Sequence, residues 1–586
     1  MGRWRSPSAA RARAAAAALL FLITGACGRF GPGAVAGQVP GASASATGRG
    51  TLTVAVSSDF PTLDPARAAD TESISAVQLM YESLFTYDAA GHVVGLLARD
   101  WTWSADHLTL TVKLNPAATF ADGTPVTASD VVFSLERMLS KTIDSPQALD
   151  FADLVGFAQM RGSRPGALLT VPAASSASAA GAGTLGIAAT GPETVTFELT
   201  QPLPYLPELL AMPSASIVEA SLANSAAADG PAWWFAHSAG SGPYVLGSSN
   251  PGTSLQLATN PHYWRQGAAD GAAPEGPYAA IDFEIVSSPA QQLKLFDAGK
   301  LDLLSPAPPT AAGAGLPAGS RLVQGQDLGV VYLGFNVAQP PFNNPLLRQA
   351  VAYALDKASL VAVAGAAGGP AAGLLPPGIP GFDPQLQPYP YDPQKARALF
   401  AESGAQPGLP VTLLTIRAGG TVQQGLTDGT AAAVERNLDA VGFNVTLQED
   451  SWTQYYKDLA AGKENLFQGD WLADYPDAQD FFFNLLDSAS IGSGNASFYS
   501  NPAFDSALAT AAADTVPADQ VRRYRQIDDL VYNDLPLVPE FYTEASVLLQ
   551  PWVGPAPGTA PDVYMRPPLL PQLDRVWLLP QSPAGS

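Results

Sequence analysis

The chain has 586 residues, 47% hydrophobic and 14% charged, with 54 glycines and 53 prolines. That is the composition of a folded, loop-rich protein large enough for two or three packed lobes, and it excludes a wholly disordered chain. A formal net charge of −22 argues against nucleic acid and anionic lipid as partners, and a single cysteine excludes an intramolecular disulfide or a Cys-based metal cluster.

Taken from the start, residues 1–27 read as a signal peptide. Arg3, Arg5, Arg11 and Arg13 precede an apolar run from Ala14 to Ala26, and small residues lead up to Cys27. As a helix that run spans about 20 Å, short of the roughly 30 Å hydrocarbon core, so a stable membrane span is not expected. Thr24-Gly25-Ala26-Cys27 resembles the lipobox of bacterial lipoproteins, apart from Thr24, where leucine is usual. The resemblance implies acylation of the Cys27 thiol; the alternative is an ordinary secretory signal. Cleavage before Cys27 removes four arginines and leaves a formal charge of about −26. Residues 28–50, rich in Gly, Ala and Ser, read as a flexible tether.

Alternation predicts strands over 51–57, over 108–114 and from Thr194 to Leu199, with a turn at Asp122-Gly123. Residues 163–186 read as a flexible surface insertion. A helix is predicted from the Asn344 cap and Pro345, with Leu347, Val351, Ala354 and Leu355 on one face and Gly365 near its end. A second places Val521, Tyr524, Ile527, Leu530 and Val531 inward, with Arg522, Arg523 and Arg525 outward. Residues 576–586 read as a loose tail. The mixture indicates an α/β class. The four histidines are scattered, and neither a P-loop nor an HExxH motif occurs, so no metal or cofactor is expected.

A series of short motifs runs through the body: Leu63-Asp64-Pro65-Ala66; Tyr81-Glu82-Ser83-Leu84; Phe120 to Val131 around Asp122-Gly123; Gly240-Ser241-Gly242-Pro243-Tyr244; Asn260 to Trp264; Phe335-Asn336 with Arg348-Gln349-Ala350; and Trp471-Leu472-Ala473-Asp474-Tyr475-Pro476-Asp477. In this order they resemble the large extracellular solute-binding protein family that includes bacterial oligopeptide- and dipeptide-binding proteins. The resemblance covers about 51–575. It implies a two-lobed clamshell of type II with an extra subdomain on the first lobe. Lobe I would take 51–80, 190–320 and 545–575, the extra subdomain 81–189, and lobe II 325–544. It also implies a monomeric, lipid-anchored receptor on the outer face of the cell membrane, or a secreted one if Cys27 is not acylated. Such a receptor hands a solute to the permease subunits of an ABC importer and is not an enzyme.

Within that resemblance, Asp474 occupies the place of the aspartate that pairs a peptide's α-ammonium; the alternative is a structural acid near a helix start. Trp471 would line the same cleft, or pack in the core. Tyr542 falls near another pocket aromatic, and Glu72 near a cleft-side segment. Two arginines that contact peptide carboxylates in one branch fall on Leu459 and Gln468, with Lys463 between them. That departure leaves open a non-peptide solute such as an oligosaccharide, an opine or a metal chelate. A secreted hydrolase built on a carboxylate pair such as Glu540 and Glu544 remains a separate class.

Overall fold

The computed structural model describes residues 50–555 except 89–90, 163–184, 226–229, 266–277, 306, 308–315, 366–367 and 417–421, and then 565–566, 570–571, 573 and 576–578. The leader, Cys27, the tether, residues 163–184 of the insertion and residues 579–586 lie outside the described residues. Val576–Leu578, where the sequence suggested a tail, is a strand paired with Val553–Pro555, because its apolar residues find a hydrogen-bonding edge.

The first strand, β1 (Thr51–Val56), leads through the helix Thr71–Met80 into a hairpin, β2 (Phe85–Tyr87) and β3 (Val93–Gly95). A four-stranded sheet follows, in the order β4 (Ala98–Trp103), β5 (Thr109–Leu114), β7 (Thr194–Glu198), β6 (Ile187–Gly191). Leu110, Val112 and Leu114 of β5 alternate into its core as the pattern predicts. Against that core packs the helix Ala128–Leu139, started by a reciprocal Thr127–Asp130 capping box and burying Val131, Leu135 and Met138. Gly123, in the predicted turn, has φ +90°, a conformation that side chains rarely adopt.

The remaining strands are β8 (Tyr244–Asn250), β9 (Ser254–Thr259), β10 (Ala280–Ile285), β11 (Leu303–Leu304), β12 (Arg321–Phe335), β13 (Leu409–Ile416), β14 (Phe443–Asp450), β15 (Leu466–Leu472) and β16 (Leu537–Leu549). With β1 they make one ten-stranded sheet, ordered β14-β13-β15-β12-β16-β11-β1-β10-β9-β8. Among the described residues its halves join through β12 and β16 alone. β15 pairs with residues 329–335 of β12, whereas β11 pairs with Leu548 and Leu549 of β16. The β12–β16 ladder is interrupted between Gln326↔Glu544 and Val330↔Tyr542, where Leu328 adopts φ +46°. At Gly329 a Cβ would stand 2.3 Å from Thr543 Oγ1, so a side chain there would require Thr543 to shift.

The helix expected from Asn344 is two, Pro345–Ala354 and Lys357–Ala364. Leu355 is extended and Asp356 caps the second helix by accepting from Ser359 N, a competing local bond that ends the first. Gly365 closes the second in the left-handed region, at φ +66°. The helix Pro517–Asp534 buries Tyr524, Ile527 and Val531 as its period requires.

Two motif acids hold distant segments together. Asp64 forms a two-pronged ion pair with Arg137, Nη1 to Oδ1 at 2.8 Å and Nη2 to Oδ2 at 2.5 Å. Glu82, sealed from solvent, accepts from Ser241 Oγ at 2.8 Å, Trp264 Nε1 at 2.7 Å and Tyr263 Oη at 3.1 Å.

Candidate ligand site

The sharpest sequence candidate lies where β15 gives way to the helix Ala478–Leu486. Asp477 caps that helix, accepting from Gln479 N at 2.8 Å. Asp480, on its first turn, turns back. Its Oδ2 accepts from Trp471 Nε1 and from Asp474 N, both at 3.0 Å, while Asn484 Nδ2 donates to its Oδ1 at 3.1 Å. One buried carboxylate thus fixes the indole ring and the backbone of Asp474 together. Sequence reading passed over Asp480; its only signal was an acid in the first turn of an apolar helix.

The Asp474 side chain is half-buried. It faces the 3-10 turn Pro146–Phe151, which belongs to the module built on the four-stranded sheet, and the Gln147 side chain hydrogen-bonds to it. Next to it Tyr475 stacks on Tyr205, ring centres 5.9 Å apart and planes 6° from parallel, inside the core of that module. The contact is therefore between two parts of the chain more than 250 residues apart. Burial pushes Asp474 up to about 6. It raises Asp150 and Asp480 well above the usual carboxylate range, the nearby Asp474 charge adding to the effect in both. Burial also brings Asp477 to about 6. No lysine or arginine ion-pairs with any of these four acids among the described residues.

Trp471 and Tyr542 both pair with Val330, on either side of β12. In-register residues share a face, so the two rings lie on one side of the sheet, two strand spacings or about 10 Å apart. Trp471 is half-buried. Tyr542 is buried; its hydroxyl donates to Gly373 O at 3.1 Å and accepts from Gly373 N at 3.3 Å, and its ring meets Phe382 edge-on. It props the Gly369–Ile379 segment. Glu72 is elsewhere. It sits in the first turn of Thr71–Met80 beside Ser58, raised mainly by burial, and no bond or charge interaction links it to Asp474.

The two positions that would carry arginines are turned inward. Leu459 is buried, and Gln468 Nε2 donates to Thr430 Oγ1 at 2.9 Å and Glu540 Oε2 at 2.7 Å beneath the sheet. Lys463 is held by Asp458. Glu540, one acid of the hydrolase reading, is wholly buried in that network, out of reach of a substrate.

The profile of the bacterial extracellular solute-binding proteins, family 5 Middle, matches residues 92–493. The chain belongs to this family. Members of family 5 are binding proteins, and this chain is a solute-binding receptor by that membership. It is 27% identical over 508 residues to the glutathione-binding protein GsiB of Salmonella typhi, covering 83% of this chain and 88% of that one. Among solved structures, the Escherichia coli murein tripeptide binding protein MppA aligns with a TM-score of 0.74 at 23% identity, over 91% of this chain and 99% of that one. The periplasmic binding protein DppA of Helicobacter pylori, in complex with the peptide STSA, aligns with a TM-score of 0.72 at 21% identity, over 90% and 98%. This family 5 chain shares their two-lobed α/β fold.

Proposed function

We propose that this protein is the extracytoplasmic receptor of an ABC importer and captures peptides between its lobes, with Asp474 receiving the ligand's α-ammonium. The observation that carries the reading is the setting of Asp474. It is a half-buried carboxylate at the contact between two chain modules, near other carboxylates and, among the described residues, paired with no cation. A ligand ammonium supplies the missing charge, and it favours closure because it contacts groups from both sides at once. Peptide-type ligands in the names of similar proteins point the same way. Lobe I would comprise 51–80, 190–320 and 545–575, the extra subdomain 81–189, and lobe II 325–544, with the hinge at the interrupted β12–β16 ladder. Cys27 would carry the lipid anchor. Trp471 would pack on the first ligand side chain, with Tyr542 behind it as support and Glu72 as an outlying cleft acid.

Calorimetric titration with mixed di- to pentapeptides tests the reading. Heat is expected from free-amine peptides; a folded protein that gives none with any of them does not bind peptides. The burial of Leu459 and Gln468 favours, as a second reading, a solute without a free carboxylate clamp, such as an opine or an oligosaccharide; titration with those solutes would then give heat where the peptides give none.

The site also sets a pH dependence. The ammonium binds only ionised Asp474, whose raised value of about 6 means that affinity should be level above that pH. Below it, affinity should fall about tenfold per unit. Asp477 close by is also brought to about 6 and would steepen the fall; Asp150 and Asp480, which face Asp474, are raised well above the usual carboxylate range. Affinities measured from about pH 7.5 down to about pH 5 check this; a flat profile would assign the ammonium to another group.

A further inference from the structure

One buried cation, Lys357, has no part in that reading. It opens the helix Lys357–Ala364, directly after the Asp356 cap, and is only 5% exposed. Both circumstances cost free energy: burial strips water from an ammonium, and a helix start disfavours positive charge. Its Nζ donates to Ala371 O at 2.8 Å, and the charge acting on it is Glu540. Glu540 is the extra residue of a bulge in β16, where Val331 pairs with Phe541 and the next residue, Tyr332, with Pro539. A bulge re-aims a side chain, and here the wholly buried carboxylate takes Gln468 Nε2 at 2.7 Å beneath β15. Gln468 stands three residues before Trp471, on the opposite face of that strand.

The carbonyl that Lys357 holds belongs to a strap, residues 369–374, bound to β16. Tyr542 N donates to Gly369 O at 3.0 Å, Ala371 N donates to Glu540 O at 3.1 Å, and Pro370 bridges to Phe541. Further along, the Tyr542 hydroxyl clasps Gly373, and Leu374 N donates to Asp528 Oδ1 at 3.1 Å. Ala371, Leu374 and Tyr542 share one apolar core, against which Trp471 packs. We propose that Lys357 is a positioning residue for the ligand site. Its bond to Ala371 O, with Glu540 and Gln468 behind it, fixes the strap that seats Tyr542 and so sets the aromatic face on which the ligand packs. The inference rests on the assignment of Trp471 and Tyr542 to the ligand site. The bond needs only an N–H, which lysine supplies charged or neutral, so it adds no pH dependence to capture. For stability alone an apolar side chain of similar length would serve as well or better, because it spares the desolvation. What the nitrogen adds is geometry.

The test is the double variant Lys357→Met/Glu540→Gln, which removes both buried charges at nearly constant volume. Calorimetric titration with the same mixed di- to pentapeptides is run beside denaturant unfolding. The unfolding midpoint should stay close to that of the wild type, while affinity falls about tenfold. Tyr542→Phe, which loses both hydroxyl bonds to Gly373 and keeps every buried charge, should weaken binding likewise. Adding it to the double variant should weaken binding no further, since both act through one strap. Full affinity in a folded double variant, or losses that simply add, would overturn the positioning role and leave peptide capture intact. Should the double variant fail to fold, full affinity in Tyr542→Phe alone overturns it. A wild-type protein that gives no heat with any of the peptides would overturn both readings together.

Discussion

Replacing Asp474 by alanine is expected to weaken binding of a free-amine peptide by at least about 2 kcal/mol, roughly 30-fold. The carboxylate is partly shielded from solvent, so water replaces only part of what it would offer the ammonium. The local frame should survive, because Asp480 is held by the Asp474 backbone and by Trp471, neither of which the substitution removes. An N-acetylated peptide, which brings no ammonium, should lose little. Equal losses for the two peptides, measured side by side by calorimetry, would make Asp474 a structural acid of the loop before the helix Ala478–Leu486.

The second large effect concerns stability. Glu82→Ala strands three buried or half-buried donors, on Ser241, Tyr263 and Trp264. At about 1 kcal/mol or more for each donor left unsatisfied, the loss should reach about 3 kcal/mol. Glu82→Gln should cost far less. Its carbonyl oxygen can keep the Ser241 and Trp264 bonds, and its amide can donate to the Tyr263 hydroxyl, which can also accept. The pH response separates charge from shape. Burial pushes Glu82 up to about 7, above the 4.5 of an exposed glutamate. The folded state therefore holds its proton where the unfolded state has released it. That contribution is fully present below about pH 4.5 and is lost as pH rises through about 7. Glu82→Gln should flatten this part of the stability profile, as followed by denaturant unfolding; an unchanged slope would place the titration elsewhere.

The same network explains why the family was legible in the sequence. Tyr81-Glu82-Ser83, Gly240-Ser241-Gly242 and Asn260 to Trp264 lie up to 182 residues apart and converge on one carboxylate. Each short motif is weak alone, but an acid that needs three particular donors constrains residue type in all of them. Asp64 and Arg137 link the first motif to the capped helix in the same way. Period-two alternation located β1, β5 and β7 because each buries one face of a sheet.

What sequence reading missed lies in tertiary approach. Gln147 and Asp150 carry no periodic signal; their turn meets Asp474 where Tyr205 packs on Tyr475 and the Gln147 side chain bonds Asp474. Tyr542, which the resemblance placed near a pocket aromatic, shares a sheet face with Trp471, and its hydroxyl is spent on Gly373. The Asn344 helix was read as one because apolar spacing continues across Asp356, while the cap that divides it depends on a side-chain bond. Gln468 stands where a ligand-binding arginine was sought, but its place in β15 turns it toward Thr430 and Glu540.

Because, among the described residues, β12 and β16 alone connect the halves of the sheet, any bend between the halves would load them as a ribbon under torsion. Sliding one strand past the other by a single residue would turn every side chain to the opposite face, which the buried faces forbid. Twist is the softer coordinate, since a two-stranded ribbon tolerates a wider range of it than strands inside a broad sheet. The gap in the ladder at residues 327–329 puts the most compliant point where the neighbours change from β15 to β11. Movement there needs no backbone bond to break and no register to be found again.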